Sequence, residues 1–230
     1  MMRFLLTLQV VCVLFVAVKA DGHSELKLSE YLWEETYQEQ QAALNSSLIK
    51  GMVSTKLNPA SFGAYMNQDV VYIYNAQRLI QIALQRSKDP QHRQLLQKMS
   101  ESYRELYEYL LVAWRIKYPS GIKLDGPCSR YLNHLYDMAI NYHTIYFVTA
   151  MIPCYKLWPW LGNQIGSKQK SFGVYTQWVE ENLDPNYAGF TDLEEVINRA
   201  DEVGKIDRQM ALRTYKRSME NERDFFSSVP

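Results

Sequence analysis

Asn58-Pro59-Ala60-Ser61-Phe62-Gly63-Ala64-Tyr65-Met66-Asn67-Gln68-Asp69-Val70-Val71-Tyr72 is the stretch that decides the fold class. Asn58 before Pro59 reads as an N-cap followed by the first helical residue, where a missing amide proton costs nothing. Phe62, Tyr65, Asp69 and Tyr72 then recur at intervals of three and four, which predicts a helix reaching about Ser87. Asp89-Pro90 repeats the signal and opens a second long helix, which ends at Tyr118-Pro119-Ser120-Gly121. Upstream, Leu32, Trp33, Tyr37, Gln40 and Leu44 hold helical spacing through the stretch from Ser24 to Ile49. Downstream, a helix is predicted from about Pro127 to Ile152, ended by Pro153, with a short one after it limited by Pro159 and Gly162. A helix from Ser171 to Asn182 follows. Another runs from Thr191 to Val203, with Thr191 and Glu194 as a capping box and Gly204 as its stop. Asp207 caps a last helix reaching Phe226. No segment alternates as a strand between hairpin turns. The chain reads as all-α, one bundle of seven or eight helices without repeats or linkers.

The first twenty residues stand apart. Met1 to Ala20 carries an early Arg3, an apolar run from Phe4 to Val18 and the short residues Val18-Lys19-Ala20 before polar Asp21-Gly22-His23-Ser24. The run is too short for ~30 Å of hydrocarbon, and no Lys/Arg stop-transfer flank follows, so a cleaved secretory signal is expected, with residues 21–230 as the domain. The protein is then expected outside the cell, with no membrane attachment. Removing Arg3 and Lys19 leaves 23 basic against 25 acidic residues. That balance offers no electrostatic footprint for nucleic acid or an anionic membrane. Asn45-Ser46-Ser47 is a glycosylation sequon, which a secreted chain makes relevant. Cys12 leaves with the signal. Cys128 and Cys154 remain, too few for a disulfide scaffold and able to pair once or stay free.

Several side chains invite a chemical reading. The 17 tyrosines exceed what a core needs, and buried ones require partners for their hydroxyls. Asp69 shares a helix face with Tyr65 and Tyr72, so it is either solvated or buried with partners. Cys154, just after Pro153, reads as lying at a helix N-terminus, a position that lowers a thiol's pKa. Glu222 stands three and four residues before Phe225 and Phe226, a side on which its carboxyl would be desolvated and suited to proton transfer. His23, His92, His134 and His143 form no Glu-x-x-His ligand pattern, so neither a metal nor a cofactor is expected.

Taken in order, Ile49-x-Gly51, Phe62-x-x-Tyr65-x-x-Gln68-Asp69-x-x-Tyr72, Tyr131-x-x-His134-x-Tyr136, Pro153-Cys154-Tyr155-x-Leu157, Tyr175-x-x-Trp178, Asn198-x-x-Asp201 and Glu222-x-x-Phe225 resemble the TenA / thiaminase II family. The resemblance spans about Leu32 to Phe226. It implies a haem-oxygenase-like bundle without haem and a pocket for the aminopyrimidine half of thiamin. It also implies Cys154 as nucleophile, Asp69 as the carboxylate holding the pyrimidine amino group and ring nitrogen, and Glu222 as acid/base. Tyr72, Tyr131 and Phe225 would line the pocket, and assembly into a homo-oligomer would be in keeping with the family. Two departures stand out. Trp158 occupies the position of a pocket tyrosine four residues after the cysteine. A second such tyrosine falls on Asn182, unless a longer loop lets Tyr187 replace it.

These readings converge on a secreted thiaminase-like enzyme acting on a small molecule, thiamin or its pyrimidine moiety. The acceptor would be water, giving a hydrolase, or an organic base, giving a transferase. The rival is a catalytically silent binding or storage protein on the same fold. A bridge between Cys128 and Cys154, which would silence the thiol, needs alpha carbons within about 7 Å.

Overall fold

In the computed structural model, which describes residues 26–166 and 169–228, Asn58 Oδ1 accepts the Ala60 amide at 2.8 Å and starts the long helix read from the sequence. The helices, in chain order, are α1 (Leu28–Glu34), α2 (Tyr37–Leu44), α3 (Ser47–Val53), α4 (Pro59–Arg86), α5 (Pro90–Ala113), α6 (Gly126–Asn141), α7 (Thr144–Gly166), α8 (Thr176–Asn182), α9 (Phe190–Glu202) and α10 (Arg208–Phe226). Among the described residues there is no strand. The fold is the expected all-helical bundle, with ten α-helices among the described residues where seven or eight were expected. The signal-like segment lies outside the described residues.

The extra helices have local causes. Thr36 turns its hydroxyl onto the Leu32 and Trp33 carbonyls at 3.0 and 3.1 Å, and Gln40 Nε2 takes the Trp33 carbonyl at 2.6 Å. Carbonyls engaged by side chains no longer require the helix to continue, and α1 ends there. Ser46 then caps α3 by accepting the Ile49 amide. A single helix from Ser24 to Ile49 is thereby divided into three.

The largest correction concerns Pro153. It does not end a helix, because α7 runs through both Pro153 and Pro159. The chain breaks earlier instead, at Tyr142, whose backbone is extended. The His143 Nδ1 then accepts the Ile145 amide at 3.4 Å, capping α7. Each interior proline removes an amide proton and costs about 3 kcal/mol or more. Against that, Phe147, Val148, Met151, Ile152, Leu157 and Leu161 are all fully buried, each contributing about 1.5–3 kcal/mol. The tertiary gain outweighs the local cost, and α7 becomes the central helix, packed on α10, α9 and α6.

Other caps fall where the sequence puts them. Asp89 accepts the Gln91 and His92 amides, Asp207 accepts that of Met210, and Gly204 stops α9 with φ +66°. The Thr191–Glu194 box does not form. Gly189 caps α9, Thr191 donates to the Ala188 carbonyl, and Glu194 pairs with Lys156 at 2.6 Å.

One glycine is indispensable to the packing. A Cβ on Gly162 would lie 1.6 Å from the Leu183 carbonyl oxygen, so α7 and the turn after α8 touch backbone to backbone. That contact fixes one wall of the site.

Candidate active site

Helix periodicity gathers the site. Asp69 and Tyr72 are one turn apart on α4, Cys154 and Trp158 on α7, and Glu222 and Phe225 on α10. With Tyr131 of α6 they line one cavity of about 410 Å³, within the range of small-molecule sites. All seven residues singled out for the pocket therefore meet. Both candidates for the missing tyrosine position, Asn182 and Tyr187, line it as well. Asn45 sits elsewhere, exposed at the end of α2, with its side-chain amide donating to the Gln41 carbonyl.

Glu222 is hydrogen-bonded through both of its carboxyl oxygens. Tyr131 donates its hydroxyl to Glu222 Oε1 at 2.7 Å, and Trp158 donates its indole N–H to Oε2 at 3.3 Å. Trp158 thus makes use of the position where a tyrosine was expected. Burial pushes the Glu222 carboxyl up to about 7, against the opposing pull of its Tyr131, Trp158 and Cys154 neighbours. Asp69 is also pushed up to about 7, by burial and then by the charge of Glu222. It accepts no hydrogen bond from a described residue, so its open valences face the cavity. Two buried carboxyls that influence one another do not ionise independently. The donors around Glu222 favour it as the charged member, leaving Asp69 to hold the proton.

The surroundings of Cys154 differ from the sequence expectation. The residue lies in the interior of α7 and gains nothing from a helix N-terminus. Burial and the Glu222 charge raise its thiol well above the usual cysteine range, and Tyr103, whose hydroxyl stands 3.7 Å from Sγ, partly opposes this. The resting group is a neutral thiol that needs a base. Cys128 is free as well, fully buried at the start of α6, with its thiol toward the Gln68 carbonyl at 3.7 Å. The structure contains no Cys128–Cys154 bridge.

Aromatic rings build the walls. Tyr72 lies 4.8 Å from Tyr131 and 5.9 Å from Phe225, centroid to centroid, and Trp158 packs on Phe226 and Trp178. The Tyr72 hydroxyl lacks a hydrogen-bond partner of normal geometry among the described residues, although it lies near Tyr131 and the thiol. Sequence reasoning missed Tyr103, Tyr155, Glu181 and Asp184, which also line the cavity. The signal for Tyr103 was present: Tyr103, Leu106 and Leu110 share one face of α5.

Among the described residues no group of three or more His, Cys, Asp or Glu side chains is placed to hold a metal ion. His134 is instead bonded to Ser218 at 3.1 Å and pushed down to about 4 by burial. No helix of the described residues is long and apolar enough to cross a membrane.

A family model for the TENA/THI-4/PQQC family matches residues 35–229. Among solved structures, a TenA family transcription regulator from Silicibacter sp. TM1040 superposes with TM-score 0.77 at 15% identity, covering 88% of this chain and 96% of that one. A TenA homologue from P. horikoshii OT3 gives 0.74 at 17%, covering 87% and 97%. A structure described as a TenA-like thiaminase from Sulfolobus solfataricus gives 0.66 at 19%, covering 89% and 96%. At these identities the likeness establishes the fold. No curated protein sequence matches the chain.

Proposed function

The chain belongs to the TENA/THI-4/PQQC family, and from that premise we propose that it is a thiaminase-like enzyme that cleaves thiamin, or a related aminopyrimidine, with Cys154 as nucleophile. One observation carries the reading: a thiol and two carboxyls, Cys154, Asp69 and Glu222, line a single aromatic-walled cavity. Asp69 holds the pyrimidine through its amino group and ring nitrogen. Its raised pKa suits this, since a protonated carboxyl donates to the ring nitrogen while its other oxygen accepts from the amino group. Glu222, ionised in part near pH 7, takes the thiol proton as sulfur adds to an electron-poor ring carbon. Tyr103 steadies the sulfur.

Addition breaks the aromaticity of the ring and lets the bond to the thiazolium nitrogen cleave, with its electron pair leaving on the thiazole. Water or an organic base then adds to the exocyclic methylene, water giving up a proton to a carboxylate or to solvent and a base such as pyridine staying on as the cation, and the thiolate departs to restore the ring. With an aminopyrimidine as substrate the amino group is expelled instead. Residues 1–20 and the exposed Asn45 sequon support extracellular action on thiamin.

The test is incubation of the purified chain with thiamin, with and without pyridine or a thiol, and identification of the products by mass. Free thiazole with hydroxymethylpyrimidine marks the hydrolase, and a pyridine adduct marks the transferase. Thiamin bound but unchanged would overturn the enzyme reading in favour of a silent binding protein.

A further inference from the structure

The cavity changes character from floor to mouth. Asp69, Tyr72, Tyr131, Glu222 and Phe225 on the floor are buried, whereas Glu181, Asp184 and Tyr187 at the mouth are exposed. Among the described residues four carboxyls line the cavity, and no Lys, Arg or His does. The two at the mouth are held in place by neutral groups. Glu181 accepts from Gln177 Nε2 at 2.8 Å, and Asp184 Oδ1 accepts the Asn186 backbone and side-chain amides at 2.9 and 3.1 Å. Neither forms an ion pair with a described residue, so both charges remain uncompensated where a ligand enters. Beside them the Tyr155 ring lies 6.2 Å from Tyr187 and stacks at 6.0 Å on Tyr103, offering π faces of the kind that attract organic cations.

The floor independently asks for a ligand. Tyr72 is 3% exposed and Asp69 6%, both line the cavity, the Tyr72 hydroxyl makes no hydrogen bond of normal geometry, and no described residue donates one to Asp69. Buried polar groups are satisfied as a rule, and these two are left for a molecule that donates and accepts at the floor.

We infer that Glu181, Asp184, Tyr155 and Tyr187 form a subsite for the cationic half of the substrate, so that the enzyme takes an unphosphorylated organic cation and discriminates against its phosphate esters. The inference rests on the proposed function, because a pyrimidine seated on Asp69 directs the thiazolium of thiamin toward this mouth. A phosphate ester on the thiazole side would place its negative charges beside two carboxylates with no basic residue to receive them, and like-charge juxtaposition is an effective way of rejecting a competitor.

The test compares wild type with a Glu181→Gln/Asp184→Asn double variant, with equal melting curves as the check that both fold. Calorimetric titration uses thiamin, thiamin monophosphate and the neutral pyrimidine alcohol, which does not reach the mouth. Wild type should bind thiamin at least about tenfold more tightly than the monophosphate, two exposed charges each contributing a few-fold. The double variant should lose most of that preference and bind the pyrimidine alcohol as before. Wild-type preference retained in the double variant would overturn the subsite. The two readings fail separately. Thiamin bound with this charge dependence but never cleaved would leave the subsite standing without the enzyme, whereas equal cleavage of thiamin and its monophosphate would leave the enzyme standing without the subsite.

Discussion

Replacing Asp69 by asparagine should stabilise the protein above neutral pH while impairing its function. The carboxyl rises from an ordinary 3.8 to about 7 through burial and the neighbouring Glu222 charge. Between those two values the folded chain holds a proton that the unfolded chain has lost. The contribution of Asp69 to stability is therefore most favourable below pH 4, falls as pH rises toward 7 and levels off beyond. For one isolated group that span amounts to about 4 kcal/mol. Because Glu222 shares the cost, the gain in Asp69→Asn at pH 8 should be about 2–4 kcal/mol, or roughly 5–10 °C in Tm for a domain of this size. At pH 4 the variant and wild type should melt together. The assay is thermal unfolding followed by circular dichroism at pH 4, 6, 7 and 8. An offset that stays constant across pH, or a less stable variant at pH 8, would refute the idea that a strained carboxyl is kept at this position for binding.

Cys154→Ser should fold normally and lose thiamin cleavage, since an alcohol in the same half-buried place is far harder to ionise; a retained rate would exclude the covalent route. Glu222→Gln should lower kcat by about a hundredfold or more with a smaller effect on KM, and should flatten the pH profile near 7; equal loss of binding alone would show that the carboxyl only holds substrate. Trp158→Phe removes the indole donor to Glu222 Oε2, so the acidic limb of the pH–rate profile should move up by about half a pH unit, and an unmoved limb would remove Trp158 from the electrostatics of the site.

Helix starts governed by one side chain were legible in the sequence. Asn58, Asp89 and Asp207 cap where their neighbours predict, because a cap is settled within about four residues. What failed depended on partners distant in the chain. Pro153 is a reliable stop only where no core compensates for the lost amide, and more than half of the residues of α7 are buried. Thr191 lost its role because Glu194 is engaged by Lys156 of another helix. The same error affected the thiol, since a helix N-terminus at Cys154 required the helix to begin there. Asp69 and Glu222 were found because a carboxyl among aromatic residues on one helix face is conspicuous. The contact of Tyr103 with Cys154 joins residues 51 positions apart, which periodicity cannot pair.

The backbone contact at Gly162 determines where the molecule can be remodelled. Leu183 sits directly between Asn182 and Asp184, so the rim of the cavity is riveted to the helix that carries the thiol, eight residues beyond Cys154. Side chains at the rim can be exchanged freely, and with them the choice of guest, because none of them supports the join. The stretch 185–188 is exposed and lies past that join, so added length is better placed there than before Leu183. A lineage or a designer seeking a new substrate would thus change residue types at positions 181, 184 and 187 and leave the spacing before Leu183 unaltered.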